Sequence, residues 1–202
     1  MIIADRFSKV LLYLALILAA LVMMFPILFA VSTSLMDPSE VNTFPPTLIP
    51  SSPRWSNYVE VARSFPIFRY LLNSLIVSTA VTLGQVLTAS LSAYAFAFMK
   101  FWGKNALFAL FMSTMMVPWE ITIIPNYLTI RSWKLLDSYP GLILPFLATA
   151  FGTFLLRQFF MQIPRELEEA ARIDGCGRFR FFRSIAVPLA RPGLLTLGAY
   201  TF

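Results

Sequence analysis

Two stretches of this chain, residues 10–36 and 70–99, carry no charged side chain and, coiled as helices, are each longer than a bilayer is thick. The hydrocarbon core is roughly 30 Å deep and a helix rises about 1.5 Å per residue, so about 20 apolar residues cross it. A third run, residues 105–130, is interrupted by Glu120, and a fourth, residues 138–163, carries Arg157 in its last third. A fifth begins near Gly193 and stops at Phe202, too soon to span. These runs predict an all-α fold, a polytopic membrane helix bundle of four full spans plus the start of a fifth, truncated at the C-terminus. With 58% of residues hydrophobic and only 13% charged, an ordinary soluble domain is excluded. Ser, Thr and Ala are frequent in the second run, which lets helices approach closely.

The basic residues set an orientation. With the N-terminus in the cytoplasm, Arg6, Lys9, Lys100, Lys104, Arg165, Arg172, Arg178, Arg180, Arg183 and Arg191 fall inside, with Arg157 near that side. Only Arg54, Arg63, Arg69, Arg131 and Lys134 fall outside, the asymmetry expected of an inner-membrane protein. This distribution accounts for most of the net charge of +6, so it is not read as a nucleic-acid footprint. The first run is too long for a signal-peptide core, although Ala30-Val31-Ser32 has the small-residue character of a cleavage site.

Other chemistry is excluded by residue type. There is no His, and Cys176 is the single cysteine, so neither a His/Cys metal cluster nor a Ser-His or Cys-His catalytic pair exists in this chain. Gly103-Lys104 is followed by Asn105 and lacks the earlier glycine of a phosphate-binding loop. The chain is expected to hold no cofactor of its own, and any ATP driving it is bound and hydrolysed by another polypeptide.

Residues 37–69 contain Pro38, Pro45, Pro46, Pro50, Pro53 and Pro66, with Trp55 and Tyr58 among them. So much proline predicts an extended or turn-rich external loop, either a packed cap over the bundle or a ligand-contacting element. The expected division is therefore residues 1–69, a first span with its loop, and residues 70–202, the remaining membrane domain. Lys100 to Lys104 suits a tight cytoplasmic hairpin between antiparallel spans. Glu120 lies between Pro118 and Pro125, two helix breakers. An ionised acid at bilayer depth costs on the order of 2.5–3.5 kcal/mol, so two readings stand: Glu120 lines a solute pathway at a kink, or the segment unwinds into the outer headgroups. Arg157, about two turns before Pro164, is expected to anchor the fourth span by reaching to the cytoplasmic interface.

The charged segment 166–188, between apolar runs, is ordered differently. Pro164 suits the first position of a short helix with Glu166 in its first turn. Leu167, Ala170, Ala171 and Asp174 fall on one helical stripe, with Glu168, Glu169 and Arg172 on other faces. Gly175 ends the turn where a residue lacking Cβ is favoured. A second helix over 177–184 presents Phe179, Phe181 and Phe182 among Arg178, Arg180 and Arg183. Aromatics mixed with arginine suit a protein interface or an inner-leaflet surface equally.

The order Glu169-Ala170-Ala171, three residues, Gly175, nine residues, Ile185, one residue, Val187-Pro188 resembles the EAA signature of binding-protein-dependent ABC importer permeases, with Val187 standing where the family has Leu. Arg172-Ile173-Asp174-Gly175, Phe154-Leu155-Leu156-Arg157-Gln158-Phe159-Phe160, and Leu136-Asp137-Ser138-Tyr139 before Pro140-Gly141-Leu142 are similar to the carbohydrate-uptake branch, which includes sugar and glycerol-3-phosphate permeases. The resemblance implies a MetI-like fold, usually of six spans, and a coupling helix around Gly175 that docks on a cytoplasmic ATPase through Glu169, Ala170, Ala171, Arg172, Asp174, Gly175, Arg178 and Phe179. It further implies ABC ATPase subunits that bind ATP, a second permease subunit and an external solute-binding protein as partners, beside membrane lipids and without nucleic acid. The competing readings are a channel or scaffold whose basic loop lies on the inner leaflet, and an inactive truncated permease.

Overall fold

A computed structural model describes residues 2–202, with side chains from Lys9 onward; the Arg6 side chain counted above lies outside the described residues. Helices account for every regular element among them. The chain divides into two compact units, Met1–Phe68 and Arg69–Phe202.

In the first unit, α1 (Ile2–Ser34) contains the apolar stretch Lys9–Ser34, 26 residues with none of its most apolar window buried by protein. At about 1.5 Å per residue this reaches about 39 Å, enough to cross with tilt. The chain then turns back on itself. The carbonyls of Ser34 and Met36, left over at the end of α1, accept hydrogen bonds from Asn57 Nδ2 at 3.0 and 2.9 Å, as helix termini require. Asp37 caps α2 (Pro38–Val41), accepting from the Ser39 amide at 3.0 Å and hydroxyl at 2.8 Å, and pairs with Arg54. α3 (Ser56–Ser64) follows. The expected extended loop therefore contains two short helices. Proline permits them because Pro38 starts α2, where its missing N–H is not needed, and Pro45, Pro46, Pro50 and Pro53 all fall between α2 and α3.

The second unit is built on α4 (Ile67–Phe98), an uninterrupted apolar helix of 32 residues. The expected basic hairpin follows it. Lys104, first residue of α5 (Lys104–Ser113), donates from Nζ to the carbonyls of Met99 at 2.9 Å and Ala97 at 3.3 Å, closing the end of α4.

The third run is two helices rather than one kinked span. After α5 and a 3-10 turn over Thr114–Met116, α6 (Trp119–Ser132) leaves at 98°. Pro118 causes the break: it offers no amide, and it holds Val117 in extended backbone at ψ 116°. Pro125, read from sequence as a second breaker, sits inside α6 without ending it. The fourth run is also divided. α7 (Tyr139–Ile143) and a 3-10 turn containing Pro145 are followed by α8 (Ala150–Met161) at a 49° bend. Two helices are thus long and apolar enough to cross a membrane alone, and four spans result when each bent pair counts as one.

α9 (Arg165–Ile173) and α10 (Arg178–Phe181) form the hairpin of 166–188. The second arm is longer than the 177–184 expected. It continues through a π-helical turn, Phe182–Ala186, into α11 (Val187–Leu189). Pro188 has no amide for the carbonyl one turn back, which accounts for the widened turn. α12 (Arg191–Thr201) packs beside α8. Gly152 lets α4, α8 and α12 close together: a Cβ there would lie 3.2 Å from both Ala89 Cβ and a Leu197 methyl.

Candidate functional site: the hairpin of residues 166–188 and its seat

Local rules define the first arm. Pro164 is the N-cap of α9 rather than its first helical residue, and Glu166 and Glu168 in the first turn complement the positive end of the helix dipole. Glu168 accepts from Arg172 Nη2 at 2.7 Å one turn on. At the other end the Gly175 amide donates to Arg172 O at 3.0 Å and the Cys176 amide to Ala171 O at 2.8 Å. With Gly175 at φ +72°, this is a Schellman termination, and Cys176 packs on the cluster containing Ala171 as that motif favours. Asp174 is the C-cap, its amide donating to Ala170 O.

The inward face of α9 differs from the predicted stripe. Of Leu167, Ala170, Ala171 and Asp174, only Ala171 is buried, and Glu168 is half-buried instead. The aromatic prediction also divides. Phe181 and Phe182 are core residues, packed against Tyr94, Phe98 and Phe160 at ring separations of 5.1–6.5 Å, and so are not free for a partner. Phe179 is 70% exposed. The reason lies in α4 and α8, which supply Tyr94, Phe98 and Phe160 as a receptive aromatic floor. Tyr94 adds a polar tie, its hydroxyl donating to Arg178 O at 3.0 Å.

What the hairpin leaves outward is Glu169, Ala170, Arg172, Asp174, Gly175, Arg178 and Phe179, seven of the eight docking candidates, with Ala171 facing in. Ile173, which sequence reading used only within the motif, is 87% exposed at the tip of α9. Its signal was an isolated apolar residue between Arg172 and Asp174. The surface combines apolar side chains with both signs of charge on a pinned scaffold.

Arg157, expected to anchor the fourth span, is tied to its neighbours near the end of α8. It is half-buried, with Nε donating to Phe96 O at 3.3 Å and its guanidinium carbon 4.3 Å from the centre of the Phe108 ring, so α4 and α5 hold it in place. Glu120 lies exposed in the first turn of α6 and lines none of the cavities described. Its neighbour Trp119 packs at a tilt against Phe146, ring centres 5.1 Å apart, and lines a cavity of about 640 Å³ at the α5–α6 break, with Thr122, Asn126, Phe151 and Tyr200. No group of His, Cys, Asp or Glu among the described residues is arranged to hold a metal.

Residues 85–202, more than half of the chain, match the family described as binding-protein-dependent transport system inner membrane component. The chain belongs to this family. It is similar to the sn-glycerol-3-phosphate transport system permease protein UgpE of Yersinia pestis bv. Antiqua (strain Antiqua), 41% identical over 196 residues that cover 94% of this chain and 70% of the relative. The UgpE protein of Escherichia coli O1:K1 / APEC is 41% identical over 193 residues, 93% of this chain and 69% of the relative. Among solved structures, a bacterial ABC transporter involved in the import of the acidic polysaccharide alginate superposes with a TM-score of 0.83 at 25% identity, over 98% of this chain and 70% of the other. The protein is thus an inner-membrane permease of the ABC importer type, and its all-α polytopic fold is that of such permeases.

Proposed function

We propose that this permease passes a carbohydrate or glycerol-3-phosphate-like solute through the inner membrane, with the hairpin of α9 and α10 as the element that a cytoplasmic ATPase grips. The supporting observation is the hairpin's mounting: Tyr94, Phe98 and Phe160 hold its inner face while Glu169, Ile173 and Phe179 stand outward. A push on the outer face is carried to α4 and α8 because the seat is packed aromatic rings rather than a flexible tether. ATP is bound by the ATPase subunits, a second permease completes the pathway, and an external binding protein delivers solute; the N-terminus is cytoplasmic. Taking alternating access from 1:99 to 99:1 requires about 5.5 kcal/mol of differential binding, which must pass through these contacts.

We place solute contact at the α5–α6 break. Trp119 and Tyr200 offer aromatic faces to a sugar or polyol, Thr122 and Asn126 offer hydrogen-bonding groups, and Glu120 stands beside them in sequence. The test uses the chain's single cysteine. In a Cys176→Ser background, Ile173→Cys or Phe179→Cys is expected to crosslink to the ATPase subunit in membranes and to resist labelling from the periplasm. Periplasmic labelling, or no crosslink from either position, would overturn the reading.

A further inference from the structure

A second polar cavity, about 360 Å³, opens where the end of α4, the start of α5, the end of α8 and the start of α9 meet. Lys104, Arg157 and Arg165 all line it, with Asn105 beside them and Glu168 the sole carboxylate. Glu168 already accepts from Arg172, and among the described residues none of the three cations is within ion-pair distance of an acid. Like charges gathered in one concave space repel, and the repulsion grows as water is excluded. An anion in the cavity removes that cost.

We propose that this cavity is a phosphoryl-binding site at the cytoplasmic boundary of the membrane. Donors approach from three helices. The Lys104 ammonium spends two of its three N–H bonds on the carbonyls of Ala97 and Met99, leaving one. Arg157 commits Nε to Phe96 O, leaving its terminal nitrogens, and the Arg165 fork is uncommitted among the described residues. Guanidinium forks match the paired oxygens of a phosphate, and the volume accommodates a small phosphorylated headgroup. Position selects the chemistry further: Lys104 begins one apolar helix and Arg157 lies near the end of another, which in the orientation proposed above puts the cations where hydrocarbon gives way to headgroups. Basic pockets between helices at that depth suit anionic lipid headgroups, and free inorganic phosphate presents the same group from the cytosol.

The site rests on the hairpin facing the cytoplasm, and the experiment separates the two ideas. The assembled transporter, purified in detergent with its ATPase subunits, is titrated with dioleoylphosphatidylglycerol, with dioleoylphosphatidylcholine and with inorganic phosphate, and bound species are counted by native mass spectrometry. Preferential phosphatidylglycerol binding that weakens about fivefold in Arg165→Gln and further in Arg165→Glu, but is retained in Arg165→Lys, assigns a lipid source. Phosphate binding with the same dependence on Arg165, and no preference between the lipids, assigns the soluble source. Equal binding of both lipids with no phosphate bound, or selectivity untouched in Arg165→Glu, overturns the site. ATPase retention in the same preparation reports on the hairpin, so failure with the ATPase still attached counts against the cavity alone.

Discussion

Substitution at Gly175 separates backbone geometry from contact. The residue sits at φ +72°, and a Cβ built there meets no atom within 4 Å, so inside this chain the cost of a side chain is conformational rather than steric. A left-handed conformation costs an L-residue roughly 1–2 kcal/mol, least for Asn, whose side chain bonds locally, and most for a β-branched residue. Set against the roughly 5.5 kcal/mol needed for full switching, such a loss is partial. A deficit of one or two kcal/mol corresponds to a factor of about 5–30 in an equilibrium constant. In the reconstituted complex, ATP hydrolysis stimulated by the loaded binding protein is expected to fall in the order Gly, Asn, Ala, Val, with Gly175→Val losing about 5–30-fold of its stimulation. The reasoning fails if Asn is as harmful as Val, since the cost would then lie in bulk pressed against the partner, or if Val leaves assembly and stimulated hydrolysis intact.

Three other perturbations address separate parts of the molecule. Tyr94→Phe removes only the hydroxyl that donates to Arg178 O, so a stability loss of about 1 kcal/mol with weakened coupling is expected; unchanged thermal stability and coupling would mean that the tie transmits nothing. Trp119→Ala is expected to lower solute uptake while ATPase attachment persists, and Glu120→Ala to lower it as well; an unchanged uptake rate in the second variant takes Glu120 off the pathway. The Asp37 carboxyl is held below the usual carboxylate range by the Ser39 amide, then the Ser39 hydroxyl, then Arg54. A depressed carboxyl stabilises above its unfolded pKa and loses that contribution as pH falls through the folded value. Proteolytic protection of residues 37–66 should therefore hold near neutrality and decline below about pH 4, and Asp37→Asn should abolish that step.

The elements most visible in the sequence were those governed by local rules. Charge-free length announced α1 and α4, Gly175 announced the end of α9, and Lys100 to Lys104 announced a hairpin. Pro118 marked a break, but its 98° angle depends on how α5 and α6 pack, which no local pattern encodes. Pro125 was read as a second break because proline disfavours helix interiors, yet α6 absorbs it. The candidate site divided for a similar reason. Composition groups Phe179, Phe181 and Phe182, but only the rings of Tyr94 and Phe160, remote in sequence, decide that two turn inward and one stays outside. Ile173 was missed because one exposed apolar residue on a charged helix forms no period at all.

The close meeting of Ala89 with Gly152 and Leu197 gives α4 a fulcrum. Tyr94, where the hairpin bears on the helix, is five residues from it, about 7.5 Å, and Asn73 lies sixteen residues away on the opposite side, about 24 Å. A rigid helix turning about that point would be an unequal rocker. Under the coupling proposed above, a stroke of 1 Å at Tyr94 would become a swing of about 3 Å at Asn73.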